Sequence, residues 1–180
     1  MEVLLVRHAI AFERDAKRWR DDDLRPLSPK GITKFRKAAA GLKWLMEPPQ
    51  EVWTSPLLRA QQTARILAEV AGWPKARERN ELSPGGNSEA VIDLLRRASS
   101  ARVALVGHEP ALSQLAAVCL IGPDGPFSVE MKKGGVLALL FASTPRAGGA
   151  TLRGLAPPRY LRAARFALPS RLIEVARHDE

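Results

Sequence analysis

Short unbroken apolar runs alternate along this chain with longer stretches in which apolar residues recur every three or four positions. The first pattern suits a strand buried on both faces, the second a helix with one face on a core. Glu2 to Val6 predicts a buried strand that stops at Arg7-His8-Ala9, where polar side chains emerge at its carboxyl end. Ile32, Phe35, Ala39, Leu42 and Leu45 fall at helical spacing and predict a helix from about Lys30 to Met46, ended by Pro48-Pro49. Glu51 to Thr54 reads as a brief strand. Ser55-Pro56 then reads as a helix start, with Ser55 as the cap and Pro56 in the first helical position; Leu58, Ala64, Ile66, Leu67 and Val70 carry the apolar face onward.

Further along, Ala76 to Leu82 holds a short strand, and the loop Pro84-Gly85-Gly86-Asn87 delivers Ser88 as the cap of a helix to about Ala98. Arg102 to Val106 is a second buried strand, again terminated by a histidine, in Gly107-His108-Glu109-Pro110. A helix resumes after Pro110 through Leu120, Val136 to Ala142 and Ala150 to Leu155 form two strands around a glycine-rich turn, and Pro169 to Arg177 predicts a terminal helix. The charged stretch 12–26, punctuated by Pro26, reads as a loop or irregular helix. Strands alternating with helices over short connections predict an α/β fold with a mostly parallel sheet. The expectation is a single domain over residues 1–180, with 143–180 less ordered in part.

Composition narrows the class. The 180 residues suffice for one sizeable core, and 46% hydrophobic with 26% charged content is that of a folded domain. A lone Cys119 forms no internal disulfide, and one thiol with three histidines makes no multi-thiolate zinc site. The N-terminus fits no signal or transit peptide, and no apolar run approaches the ~20 residues that span a bilayer, so a cytoplasmic soluble protein is expected. The net charge of +9 raises the question of nucleic acid, but the arginines are interspersed with acids and aromatic content is only 6%, a poor fit to a dedicated nucleic-acid reader.

The chemistry concentrates at strand ends, where open α/β sheets bind ligands. The two clearest strand ends each present a histidine, His8 and His108, and Arg59 falls in the first turn of the helix that follows Thr54-Ser55-Pro56. A helix N-terminus favours an anion, and arginine forks donate paired bonds to phosphate oxygens. Imidazole attacks phosphorus when one ring nitrogen is unprotonated and the other is held. Arg7, His8, Arg59 and His108 together therefore suit one phosphoryl group, with positive charge from the arginines and a protonated His108. Taken singly, each histidine also fits a structural role at a strand end, and His8, His108 and Glu109 form a possible metal set without a compact ligand motif.

Four motifs, Val6-Arg7-His8-Ala9, Leu27-Ser28-Pro29-Lys30-Gly31, Thr54-Ser55-Pro56-Leu57-Leu58-Arg59-Ala60-Gln61-Gln62-Thr63-Ala64 and Val106-Gly107-His108-Glu109-Pro110, resemble in order and spacing those of the histidine phosphatase superfamily, nearest its SixA-type phosphohistidine phosphatase branch. The resemblance runs from residue 1 to about 160 and implies a three-layer, phosphoglycerate-mutase-like sandwich. It makes His8 a transiently phosphorylated nucleophile and assigns the phosphoryl oxygens to Arg7, Arg59 and His108. It places Arg25 at the site lining, offers Glu81 or Glu109 as the acid, and implies no metal or cofactor. Ala9 stands where the family usually has glycine.

The implied substrate is phosphohistidine on a protein partner. Only 26 residues separate Glu81 from His108, too few for a capping subdomain over the site. A small-molecule phosphomonoesterase of the same superfamily is the alternative, and a non-catalytic phosphate or nucleic-acid binder is a third.

Overall fold

Along the first strand, β1 (Glu2–Arg7), Leu4 and Val6 face one side of the sheet while Val3 and Leu5 face the other, and all four are buried. Both faces must therefore be covered. The computed structural model describes residues 1–164 and residue 166. On the Leu4 side lie α1 (Pro29–Leu45), α2 (Leu58–Ile66) and α5 (Pro158–Ala164), contributing Phe35, Leu42, Ala64 and Leu161 to one core. On the Val3 side lie α3 (Ser88–Arg96) and α4 (Ala111–Ile121), contributing Ile92, Leu95, Leu112 and Leu115 to the other. Each leucine, isoleucine or phenylalanine among them contributes roughly 1.5–3 kcal/mol by leaving water. The result is a three-layer α/β/α sandwich.

The remaining strands are β2 (Glu51–Thr54), β3 (Arg77–Glu78), β4 (Arg102–Gly107), β5 (Val136–Phe141) and β6 (Ala150–Ala156), and the sheet order is β3-β2-β4-β1-β5-β6. The four strands from β3 to β1 are parallel, whereas β5 and β6 each run antiparallel to their inner neighbour. The register of β1 on β4 sets Leu4 opposite Ala104 and Arg7 opposite Gly107. The next residues, His8 and His108, consequently leave the sheet side by side.

The motif around Ser28 anchors the chain that follows His8. The Ser28 hydroxyl accepts from the Gly31 N–H at 3.0 Å and caps α1, with Pro29 in the first turn. The Ser28 N–H in turn donates to the Ile10 carbonyl at 3.0 Å. A Cβ at Gly31 would stand 1.8 Å from that carbonyl, so only glycine admits the approach.

Several local expectations are corrected. Ser55 does not cap α2: the helix begins at Leu58, with Leu57 in the capping position and no side-chain cap, because the Ser55 hydroxyl is committed elsewhere. The strand expected over Ala76–Leu82 is only Arg77–Glu78, followed by a 3-10 turn at Asn80–Leu82. Asn87 rather than Ser88 caps α3, accepting from the Glu89 N–H at 2.8 Å. The 12–26 stretch is irregular apart from a 3-10 turn at Asp22–Leu24. Helix α5 was not expected; it lies on α1 so closely that a Cβ at Gly41 would stand 1.7 Å from the Leu161 carbonyl. The terminal helix expected at Pro169–Arg177 lies outside the described residues.

Candidate active site

The paired strand ends bring His8 and His108 together, with ring centroids 5.0 Å apart and planes inclined at 53°. His8 is fixed on three sides. Its backbone N–H donates to the Gly107 carbonyl at 3.0 Å, and its carbonyl accepts from the Gly134 N–H at 3.1 Å. Its ring Nδ1 lies 2.7 Å from the Ala9 carbonyl, an acceptor only, so Nδ1 carries the proton and donates. The lone pair of the neutral ring is thereby placed on Nε2. Ala9 is held in turn, its N–H donating to the Thr63 hydroxyl at 3.0 Å, while that hydroxyl donates to the Arg59 carbonyl at 2.7 Å.

The tautomer of His108 follows from its neighbour. Its Nε2 lies 2.8 Å from the Ser55 hydroxyl oxygen, which also accepts weakly from the Leu57 N–H at 3.3 Å. The hydroxyl proton has no other acceptor among the described residues, so Ser55 donates to Nε2 and the His108 proton sits on Nδ1. That nitrogen has no protein partner, and neither do the buried Nε atoms of Arg7 and Arg59. These three buried N–H donors, on residues whose charges or rings act on one another, are the unsatisfied donors of the site.

Both rings are neutral at ordinary pH. Burial, then the neighbouring His108 ring, then the Arg59 and Arg7 charges push His8 down to about 3, against the Ala9 bond. Burial, then Arg59, then Arg25 and Arg7 push His108 down to about 3, with Asp22 acting in the opposite direction. The expected protonated His108 is therefore corrected: the buried ring is neutral here, and the fixed positive charge of the site comes from the arginines. Neutrality also leaves the His8 lone pair free.

The arginines are arranged through one carboxylate that the sequence did not single out. Asp22 lies 3.2 Å from an Arg59 terminal nitrogen and accepts from Arg25 Nε at 2.7 Å. Its backbone carbonyl accepts from the other Arg59 terminal nitrogen at 2.8 Å, and Arg25 also donates to the Phe12 carbonyl at 2.6 Å. The Arg25 hydrogen bond, followed by the charges of Arg59 and Arg25, holds the Asp22 carboxyl below its usual value despite some burial. Arg7 is anchored separately, donating to the Met131 carbonyl at 2.6 Å. Arg7, His8, Arg25, Arg59 and His108 thus meet in one place.

The two candidate acids diverge. Glu81 shares a small cleft with His108, lined by Leu82, Val91 and Leu112. One Glu109 oxygen accepts from the Ser113 hydroxyl in the first turn of α4, and the other is buried with no partner among the described residues. Among the described residues no group of three or more His, Cys, Asp or Glu side chains is arranged to hold a metal ion. Asp22, Ser55 and Thr63 are the site residues that sequence reasoning missed; of these, only Ser55 and Thr63 fall inside a quoted motif.

The family model of the histidine phosphatase superfamily (branch 1) matches residues 3–83. Over 130 residues the chain is 30% identical to the phosphohistidine phosphatase SixA of Escherichia coli K12, which covers 70% of this chain and 78% of that protein. The chain belongs to the histidine phosphatase superfamily. It is 37% identical over 142 residues to an uncharacterized protein of Picosynechococcus sp., spanning 77% of this chain and 84% of the relative. The structure of the protein histidine phosphatase SixA complexed with tungstate superposes with a TM-score of 0.77 at 26% identity, covering 89% of this chain and 99% of that one. As a histidine phosphatase of phosphoglycerate-mutase-like fold, the protein is a phosphoric-bond hydrolase. No described helix is long and apolar enough to cross a membrane.

Proposed function

We propose that this histidine phosphatase dephosphorylates phosphohistidine on a protein partner through a phosphoryl group carried transiently on His8. The observation that carries the reading is the Nδ1–H bond of His8 to the Ala9 carbonyl, which leaves Nε2 as an unprotonated nucleophile. In the first step the Nε2 lone pair attacks phosphorus as the bond from phosphorus to the substrate imidazole breaks, and the departing nitrogen takes a proton from solvent. In the second, water attacks phospho-His8, orthophosphate leaves with the hydroxyl, the second water proton passes to solvent, and Nε2 recovers its lone pair. Arg7, Arg59 and the Nδ1–H of His108 donate to the phosphoryl oxygens throughout, and their preorganisation stabilises the charge of the transferring group. Arg25 acts through Asp22, which it shares with Arg59.

Three features support the protein-borne substrate. The relatives just described include a phosphohistidine phosphatase. The segment from Glu81 to His108 carries only the end of a 3-10 turn, α3 and β4, so this segment contributes no subdomain over the histidines. An imidazole leaving group needs little protonation, which suits a centre whose candidate acid Glu81 shares only a side cleft with His108. That same Glu81 favours the second reading, a small-molecule phosphomonoesterase in which it protonates an alkoxide. Release of phosphate from a phosphohistidine peptide, compared with that from alkyl phosphate esters, separates the two. Faster turnover of the peptide is expected, and turnover of esters alone would overturn the proposal.

A further inference from the structure

The carboxyl end of the sheet holds a second concavity beside the histidine pair. Strand β5 is antiparallel to β1 with Val136 opposite Val6, so the chain entering β5 does so at the end that carries His8. Strand β6 is antiparallel to β5 with Ala156 opposite Val136, so the chain leaving for α5 arrives there too. Between these segments and the start of α1 lies a cavity of about 410 Å³ with an apolar floor that includes Ile10, Phe35 and Pro158. Its walls carry five cations, Arg7, Lys34, Lys132, Lys133 and Arg162, and no carboxylate among the described residues lines it.

What sets the cavity apart is that its cations share one concave wall that holds no acid among the described residues. Several cations elsewhere sit against acids, as Arg36 does on Glu69 and Arg96 on Asp93. In the cavity only Lys132 has such a partner, Glu130; the side chains of Lys34, Lys133 and Arg162 make no hydrogen bond or ion pair among the described residues. Like charges gathered in a concave, partly apolar wall repel one another until an anion enters, and a flanking apolar floor favours an anion attached to an apolar body. Arg7 belongs both to this wall and to the phosphoryl-binding set, so the cavity adjoins the reacting centre.

We propose that the cavity is a recognition subsite that takes an acidic side chain, next to an apolar one, from the segment flanking phosphohistidine on the protein partner. The inference rests on the phosphohistidine reading above. Lysines suit the task because a flexible point charge accepts carboxylates in varied geometries, whereas the arginine forks are kept for the phosphoryl oxygens. Charge complementarity of this kind acts on capture of the partner more than on the chemical step.

The test compares three substrates: a phosphohistidine peptide flanked by glutamate and leucine, the same peptide with serine in place of glutamate, and free phosphohistidine. Each is assayed with the wild-type protein and with Lys34→Glu/Lys133→Glu, two exposed positions outside the reacting centre. The wild type is expected to prefer the acidic peptide by at least tenfold in kcat/KM, chiefly through KM, with the preference shrinking at high salt. The double variant loses that preference while hydrolysing free phosphohistidine within twofold of wild type, which also reports its folding. Equal use of both peptides by wild type, or a preference that survives in the variant, overturns the subsite. Inhibition of wild type alone by a small organic dianion, with no flank preference, assigns the cavity to a small molecule and overturns it likewise. If none of the three substrates is hydrolysed while alkyl esters are, the phosphohistidine reading falls and the subsite with it.

Discussion

Lowering the pH from 7 to 5 should destabilise this protein markedly by way of its own active site. His8 and His108 sit at about 3 in the fold against an ordinary 6.5, chiefly because both rings are buried. The unfolded chain therefore binds two protons that the folded chain refuses. The stability each neutral ring contributes is fully present above pH 6.5 and is lost as pH falls toward 3. Between pH 7 and 5 each histidine costs about 2 kcal/mol and the pair about 4, a large share of the roughly 5–15 kcal/mol that holds a domain together. Asp22 and Glu51, whose carboxyls are held below their ordinary 3.8 and 4.5, take up protons only beneath this window. Urea titrations at pH 7, 6 and 5 in phosphate-free buffer measure the effect directly, and His8→Gln should remove about half of the pH slope. A stability that stays flat from pH 7 to 5, or a slope untouched by His8→Gln, would refute the assignment of both rings as neutral.

The same pKa values predict that kcat/KM shows no loss of activity centred near pH 6.5, since His8 already holds its lone pair above and below that point; a pH–rate profile with that midpoint would count against it. Ser55→Ala removes the hydroxyl that sets the His108 tautomer, and loss of about 1–1.5 kcal/mol should lower kcat/KM by roughly 5–13-fold, with the ¹⁵N shifts of His108 showing mixed tautomers. On phosphohistidine, Glu81→Gln and Glu109→Gln should each slow hydrolysis by less than about tenfold, whereas an alkyl ester should lose on the order of 10²–10⁴ if one of them is its acid. Gly31→Ala places a methyl against the Ile10 carbonyl and should lower stability by about 1–3 kcal/mol in a thermal melt, with activity falling because the chain after His8 must shift.

What could be read from sequence follows from how locally each feature is encoded. Strand β1 and the position of His8 at its end are written in an apolar run and its abrupt stop, and β4 with His108 repeats that pattern. Arg59 was placed correctly in the first turn of α2 even though the start of the helix was misread. Ser55 shows why: serine before proline is a local cap signal, but the hydroxyl bonds His108, 53 residues away, and no periodicity carries that pairing. Asp22 was hidden for a related reason, since the run Asp21-Asp22-Asp23 offers three equivalent carboxylates and only the folded 12–26 segment decides which meets Arg25 and Arg59. The charge of His108 was misjudged because burial, which no sequence window reports, outweighs the ring's ordinary basicity. The cationic cavity is assembled from four separate stretches of chain and has no linear signature at all.

The central claim is that His8 carries the phosphoryl group, and intact-mass measurement under single-turnover conditions tests it most directly. Wild type mixed with excess phosphohistidine peptide and quenched at alkaline pH, where phosphohistidine survives, should show a population heavier by one phosphoryl group, mapped to His8 by peptide fragmentation. The population should vanish in His8→Ala, which melts as a folded protein but releases no phosphate. Turnover by His8→Ala, or a phosphoryl group mapped to any other residue, would contradict the account.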